Sequence, residues 1–359
     1  MIPMQCRRWW CGGVVAACVC VSVCLATAGE PAKAPVPSPP AAPAAPETPQ
    51  QVRLRGELAK LPYRIVYESL RGKDWEIMLM NADGTGGKNL TNAPDADDLY
   101  PHASPDGTKV CFVADEGAGK ERARSVYVMN IDGTGRKLVA RHGREPCWGP
   151  DSKKIAYLHS EFERFTTKDF ATKGLAIVDL ESGATREHPN DKLFHLYNLC
   201  WSPCGKWFTA TVHGGMGHKH ADLAIEAEGQ GVFPLPGVGG CRPDISLDGK
   251  HLCWNMSDQV IAVADLDLTV TPPTVQNIRR PITTDKEHKV YHSDWSPDGK
   301  YITFSYGPKQ GEEQMGEHAA GWHICVADAA ETNVWVVLTR DGDGNKEPDW
   351  VPASEGKGK

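Results

Sequence analysis

The chain has 359 residues, of which 40% are hydrophobic and 24% are charged. That balance is ordinary for a globular protein and excludes a chain too polar to build a core. With 46 acidic against 39 basic residues the formal charge is −7, which leaves no electrostatic footprint for nucleic acid.

The first 28 residues read as a secretory signal peptide. Arg7 and Arg8 are the positive leader, Cys11 to Leu25 is apolar and small, and Ala26-Thr27-Ala28 is a cleavage site before Gly29. Two alternatives stay open. Trp9 to Ala28 approaches the ~20 residues of a bilayer span, so an uncleaved anchor is one. A loose lipoprotein box, Val15-Ala16-Ala17-Cys18, is the other. Either way the chain is expected to be periplasmic or secreted, with membrane contact only through that N-terminal segment.

Residues 29–55 are rich in Pro and Ala and read as an extended spacer with too little apolar surface to fold. Residues 56–353 are then the folded part and 354–359 a tail. Seven cysteines follow the leader: Cys111, Cys147, Cys200, Cys204, Cys241, Cys253 and Cys325. Most sit within apolar strand patterns and read as small buried hydrophobes. Cys200 and Cys204 flank a turn and could pair; no second pair matches them, which argues against a zinc site.

A turn unit recurs through the folded part. It stands at Ser104-Pro105-Asp106-Gly107, Gly149-Pro150-Asp151-Ser152, Ser202-Pro203-Cys204-Gly205, Ser246-Leu247-Asp248-Gly249 and Ser296-Pro297-Asp298-Gly299, with a vestige at Val351-Pro352-Ala353. The spacing of about 45 to 55 residues is that of a propeller or solenoid. Each unit parses into four strands, as in HSDWS, YITFSYG, WHICVAD and VWVVLTR. The N-terminal segment offers three strands (YRIVYES, WEIMLMN, GKNLT) and lacks an inner one. The C-terminal PDWVP is an inner strand with no followers. Joined, they complete a sixth four-stranded unit, so the expected fold is all-β, a six-bladed β-propeller closed by pairing its two ends. Closure removes the exposed edges of an open array.

The repeats SPDGTKVCFVAD followed by VYVMNIDGTGRKLV, and EIMLMNADGTGGKNLTN before them, resemble those of TolB-type six-bladed propellers over about residues 60 to 352. The resemblance implies an exported propeller that contacts proteins or ligands, usually without catalysis. The TolB protein itself carries a separate N-terminal α/β domain. Here a Pro/Ala spacer precedes the blades, so that protein's colicin- and Pal-associated role is not carried over.

The strand parse puts all but one of the histidines, His251, on the face opposite the SPDG turns. His195, His213, His218, His220, His288, His292, His318 and His323, with Trp322, are the candidate ligand-binding residues. Within them His213, His292 and His318 are the candidate metal ligands, because neutral imidazole binds divalent ions readily. A divalent metal is thus the one cofactor considered. The alternative is that these are solvated histidines in a glycine-rich loop (HGGMGHKHAD). The metal reading resembles oligogalacturonate lyases, propellers with a histidine-held metal, although the ligand pattern does not match residue by residue. Asp341-Gly342-Asp343-Gly344-Asn345 could hold calcium, but the closing Glu of an EF-hand loop is missing and a polar turn is the simpler reading. The loops Ser160 to Lys173 and Ser305 to Trp322 are the longest insertions, and Phe162 and Phe165 are candidate contact aromatics.

No nucleophile elbow, phosphate loop, HExxH or dinucleotide fingerprint occurs. The expected function is therefore a non-catalytic scaffold, monomeric, binding a protein or polysaccharide at its histidine-rich face. The alternative is a metal-dependent polysaccharide lyase or hydrolase acting at the channel mouth.

Overall fold

The computed structural model describes residues 46–309 and 320–354. The signal peptide, most of the spacer, the final residues 355–359 and His318 lie outside them.

Six four-stranded antiparallel sheets stand in a ring. Blade two runs Ala96–Ala103, Lys109–Glu116, Ala123–Asn130, Lys137–Arg141, from the inner strand outward. Blades three to six repeat that order, with inner strands at Gly143–Trp148, Leu196–Trp201, Cys241–Ile245 and His288–Trp295. Blade one takes its inner strand from the far end of the chain. Asn345–Val351 pairs with Arg64–Arg71, matching Arg64 to Val351 and Ser69 to Asn345. The expected closure is present, and it places the buried Trp350 and Val351 beside N-terminal strands.

The packing follows from one repeated position. The fourth residue of the second strand is large and buried in five blades: Tyr67, Phe112, Tyr157, Trp254 and Phe304. Blade four has Ala210 there, and Phe208 two residues earlier supplies the volume. Each such side chain contributes about 1.5–3 kcal/mol by leaving water. Cys111 and Cys253 stand just before this position, fully buried, and all seven cysteines are free thiols.

The SPDG unit folds on itself. Ser104 Oγ donates to Asp106 Oδ1 at 2.6 Å and accepts the Lys109 N–H at 3.0 Å. Ser246 with Asp248 and Ser296 with Asp298 repeat this at 2.6 and 2.7 Å. Gly107 has φ +66, and a Cβ there would stand 2.2 Å from the Pro352 carbonyl oxygen. The blade-two turn thus leans directly on the vestigial turn of blade one.

One expectation is corrected. Residues Pro49–Leu58, most of which fall within the expected spacer, form an α-helix. Thr48 caps it, with Gln51 N–H donating to Thr48 Oγ1 and Thr48 N–H donating to Gln51 Oε1, and Pro49 sits in the first turn where its missing N–H costs nothing. The helix buries Leu54 and Leu58 against the ring. Gln51 and Arg55 donate to the carbonyls of Trp335 and Val337, both at 2.9 Å, which covers the outer edge of blade six. Proline content alone concealed this helix; the Thr-x-x-Gln box was its signal.

Candidate functional site

Each inner strand is broken at one residue that takes a left-handed conformation. These are Tyr100 (φ 53), Glu145 (48), Asn198 (54), Arg242 (61), His292 (56) and Glu347 (47). The strand register shifts at the same place in every blade. A left-handed non-glycine residue costs about 1–2 kcal/mol, so six at equivalent positions need compensation. Neighbouring side chains supply it by accepting the bulge N–H. Glu68 does so for Tyr100 (2.9 Å), Glu145 for Asn198 (2.7 Å), Thr211 for Arg242 (2.8 Å) and Asn255 for His292 (3.1 Å).

The bulges turn these six side chains toward the axis, where they meet across it. Arg242 of blade five reaches Asn198 of blade four at 3.2 Å and Glu347 of blade one at 3.2 Å. His292 Nε2 stands 2.7 Å from Glu347 Oε1, and its Nδ1 faces Ser305 Oγ at 3.0 Å. The long loop of blade three supplies the remaining partner. Asp169 takes Arg242 at 3.1 Å and the Tyr100 hydroxyl at 2.9 Å. Arg144 holds that loop in place by donating to the Thr166 and Lys168 carbonyls at 2.9 and 2.8 Å. Charged groups of several blades thus partner one another across the axis, while Glu145 Oε1 and Arg144 Nε are buried there without a hydrogen-bond partner.

Burial governs the titration of this set. It pushes the Glu145 carboxyl up to about 6, with Asp169 adding to the rise, and it raises Glu347 as well. At Asp169 burial acts in the same direction, but Arg242, Arg124 and Arg144 outweigh it and hold the group below the usual carboxylate range. Burial, with Arg242 and Lys346, holds His292 well below the ordinary imidazole value.

A second layer lies two residues further along each inner strand: His102, Cys147, Cys200, Asp244, Asp294 and Asp349. His102 Nδ1 is 2.9 Å from Asp349 Oδ2, and Asp294 Oδ2 accepts the Trp350 N–H at 2.6 Å. Burial raises Asp244 to about 6 and raises Asp294 well above the usual range, with Asp349 and Asp244 reinforcing the latter.

The histidines predicted from sequence separate into several places. His292 is in the axial layer. His213 and His220 form a cross-strand pair in blade four, Nδ1 to Nδ1 at 3.4 Å, with His218 opposite Gly215 on the same hairpin. His195 lies beside them; its Nδ1 faces the Gly214 carbonyl at 2.9 Å and its Nε2 faces Glu161 at 3.3 Å. Phe170 packs on His213 with ring centroids 4.5 Å apart. His288 stacks on Tyr306 and contacts Asp285 at 2.8 Å. His323 begins the third strand of blade six, where burial lowers its basicity. Trp322 is 1% exposed and packs against Gly307 and Tyr291, so its surface is spent inside the fold. Of the proposed metal set, His213 and His292 belong to different contact groups and His318 is outside the described residues. Among the described residues, no three or more His, Cys, Asp or Glu side chains are grouped to hold a metal ion. Asp341 and Asp343 both engage Arg71, and Asn345 Nδ2 donates to Asp341 at 2.8 Å, as a polar turn would.

Solved structures of known proteins share this architecture. TolB from Acinetobacter baumannii superposes with a TM-score of 0.60 at 18% identity, over 81% of this chain and 67% of that one. The chain has the TolB propeller fold. A chain of the nidogen/laminin complex matches at TM-score 0.55 and 9% identity, over 81% of this chain and 99% of its own. Hydrazine synthase from Kuenenia stuttgartiensis matches at 0.55 and 13%, over 83% and 48%. At such identities the likeness is one of fold. No family model and no curated protein matches the chain.

Proposed function

We propose that the protein is an exported binding propeller that docks a protein partner on the face formed by the blade-three loop and the blade-four hairpin. The observation that carries this is the exposed rim of aromatic and imidazole side chains around an axis whose central cation is taken up within the fold. Arg242 is held by Asp169, Glu347 and Asn198, so the axial cation that could grip an anionic small molecule at the centre is already engaged. Contact then falls to the rim, where Phe162 is 44% exposed and His213 and His220 are also exposed. Aromatic and imidazole groups on a rigid scaffold suit a protein interface. The presence of a chain of this fold in a nidogen/laminin complex is consistent with such a use. Export rests on the leader, and N-terminal sequencing of the secreted or periplasmic protein should begin at Gly29.

A photo-crosslinking residue tests the docking face. Placed at Phe162 or His218 it should give discrete crosslinked proteins in the native host, and placed at the exposed Leu247 of an SPDG-face turn it should give none. Crosslinks at Leu247 alone would overturn the assignment. Glycan rather than protein on the Phe162 probe would replace the protein partner with a polysaccharide.

A further inference from the structure

The blade-three loop brings a charge to the axis from outside the inner strands. It joins Lys154–Ser160 to Thr172–Asp179, and the Glu161 N–H donates to the Ala171 carbonyl at 2.9 Å to close its base. Beyond that bond, side chains hold the loop to the rest of the fold. Arg144 takes the Thr166 and Lys168 carbonyls, and Arg122 lies over the Phe165 ring, 4.3 Å from its centroid. Phe162, Glu163, Arg164, Thr167 and Lys168 are exposed. Gly174 (φ 86) and a register shift between Thr172 and Leu175 break the strand just past the loop. Segments with few buried apolar contacts open at less cost than the strands that carry them.

Asp169 sits in this arrangement as a ligand would. Its two oxygens take donors from different blades, the Tyr100 hydroxyl of blade two at 2.9 Å and Arg242 of blade five at 3.1 Å. Against burial, Arg242, Arg124 and Arg144 together hold its carboxyl below the usual range. The donors in this region exceed what one carboxylate uses. Arg124 Nη1 and Arg144 Nε are buried without a hydrogen-bond partner, on residues only 4% and 1% exposed. A buried donor left unpaired is costly, so the site has capacity for more acceptor oxygens than Asp169 brings. Glu145 and Glu347 stand in the same layer, so an incoming anion must replace Asp169 rather than join it.

We propose that Asp169 fills, from within its own chain, a carboxylate site built by Arg242 and Tyr100, and that the blade-three loop is a latch displaced by an acidic peptide segment of the docking partner. This rests on the docking reading above and adds the chemistry of the partner and the regulation of the face. A latch that is closed most of the time lowers the apparent affinity by the fraction of molecules that are open. Weakening the latch therefore raises affinity by the same factor.

The test is fluorescence anisotropy of the full chain with a fluorescein-labelled peptide of alternating Asp and Gly. Asp169→Asn keeps the side chain's shape while removing the charge that Arg242 holds, and it should bind the peptide about tenfold more tightly than the parent. Phe165→Ala loosens the loop without touching the axis and should bind about threefold more tightly. Adding Arg242→Met and Glu347→Gln to Asp169→Asn removes the site's cation without stranding a carboxylate and should abolish the gain. A matching peptide of Lys and Gly should show no gain in any variant. In the parent, the acidic peptide should quicken tryptic cleavage after Arg164 and Lys168. Parent-like affinity in Asp169→Asn would overturn the latch, as would a gain that survives loss of Arg242 or is shared by the Lys peptide. Should Asp169→Asn lack a cooperative thermal transition, Phe165→Ala and the cleavage rates decide, and no change in either would overturn it. Loss of these effects with the Phe162 crosslinks intact removes the latch and leaves the docking face. Crosslinks absent from Phe162 with the Asp169→Asn gain intact remove the docking face and leave the carboxylate site.

Discussion

Replacing Arg242 with Met tests the axial charge network directly. Methionine is unbranched and of comparable length, so it fills the space while removing the charge. The Arg242 side chain is 7% exposed and takes Asp169 at 3.1 Å, Glu347 at 3.2 Å and Asn198 at 3.2 Å. Its loss leaves two partly buried carboxylates, Asp169 (25% exposed) and Glu347 (10% exposed), without their shared cation. Breaking a fully buried pair costs about 3–5 kcal/mol; the exposure of Asp169 puts the expected loss toward the lower end of that range, still a large share of the ~5–15 kcal/mol that holds a typical domain together. The cost should depend on pH. Without Arg242 the strongest force holding Asp169 ionised is gone, and its folded-state pKa should rise above the unfolded value. The folded state then keeps a proton that the unfolded chain releases, so the variant's deficit grows as pH rises and shrinks toward pH 5. Urea unfolding followed by tryptophan fluorescence at pH 5 and pH 8, read at constant m, measures both effects. Adding Asp169→Asn and Glu347→Gln to the variant removes the stranded charges and should recover most of the loss at pH 8. A variant within about 1 kcal/mol of the parent at pH 8 would refute the reasoning, as would a triple variant no more stable than Arg242→Met alone.

Asp222 gives a second pH test. Thr211 Oγ1 accepts the Arg242 N–H and donates to Asp222 Oδ1 at 2.6 Å, and burial pushes the Asp222 carboxyl up to about 7. Its contribution to stability is therefore full below the unfolded value near 4 and is lost as pH rises to about 7. At ~1.4 kcal/mol per unit this is a few kcal/mol at most, and Asp222→Asn should flatten that part of the profile; an unchanged slope between pH 5 and pH 8 would count against it. Gly107→Ala should be far more damaging than Gly205→Ala. Both have positive φ, but the first Cβ would stand 2.2 Å from a backbone oxygen and the second 3.7 Å from a flexible proline ring. Thermal melting of the two variants should differ by several degrees, and equal melting points would mean that the blade-one contact is not tight. Removing residues 346–359 strips blade one of its inner strand, with Glu347, Asp349 and the buried Trp350. Loss of a cooperative unfolding transition is expected, and a truncated chain as stable as the parent would show that the ring closes otherwise.

What could be read from the sequence was whatever repeats as residue type. The SPDG turns are local, each Ser and Asp completing its own hydrogen bonds, so every copy announces itself and the six-bladed count follows. The axial ring repeats as position only. Tyr100, Glu145, Asn198, Arg242, His292 and Glu347 each stand four residues before the first residue of a turn unit, at Ser104, Gly149, Ser202, Ser246, Ser296 and Val351. No two neighbouring blades share a residue there, so a search for similar side chains passes over it. Their partners come from other blades and from Asp169 in a loop, at separations that no local pattern encodes. His292 stands out in the sequence only as a histidine. Its position in the strand was legible; its burial beside Glu347 was not.

The blade-four histidines went the other way. HGGMGHKHAD reads as a glycine-rich loop because glycine weakens a strand pattern. Met216-Gly217 instead makes a tight turn, and the strands run on to Gly215 and from His218. Had the stretch been a loop, three histidines in eight residues would sample many separations, and no pair would be held. As a hairpin it holds one pair at 3.4 Å. The two histidine groups thus follow from a single physical difference. Inside the ring the bulges aim side chains at one another. At the rim adjacent blades hold the imidazoles in place, His220 through the Gly240 carbonyl and His213 through Phe170, and still leave them exposed, so binding capacity belongs to side chains that are fixed by their neighbours yet reach solvent.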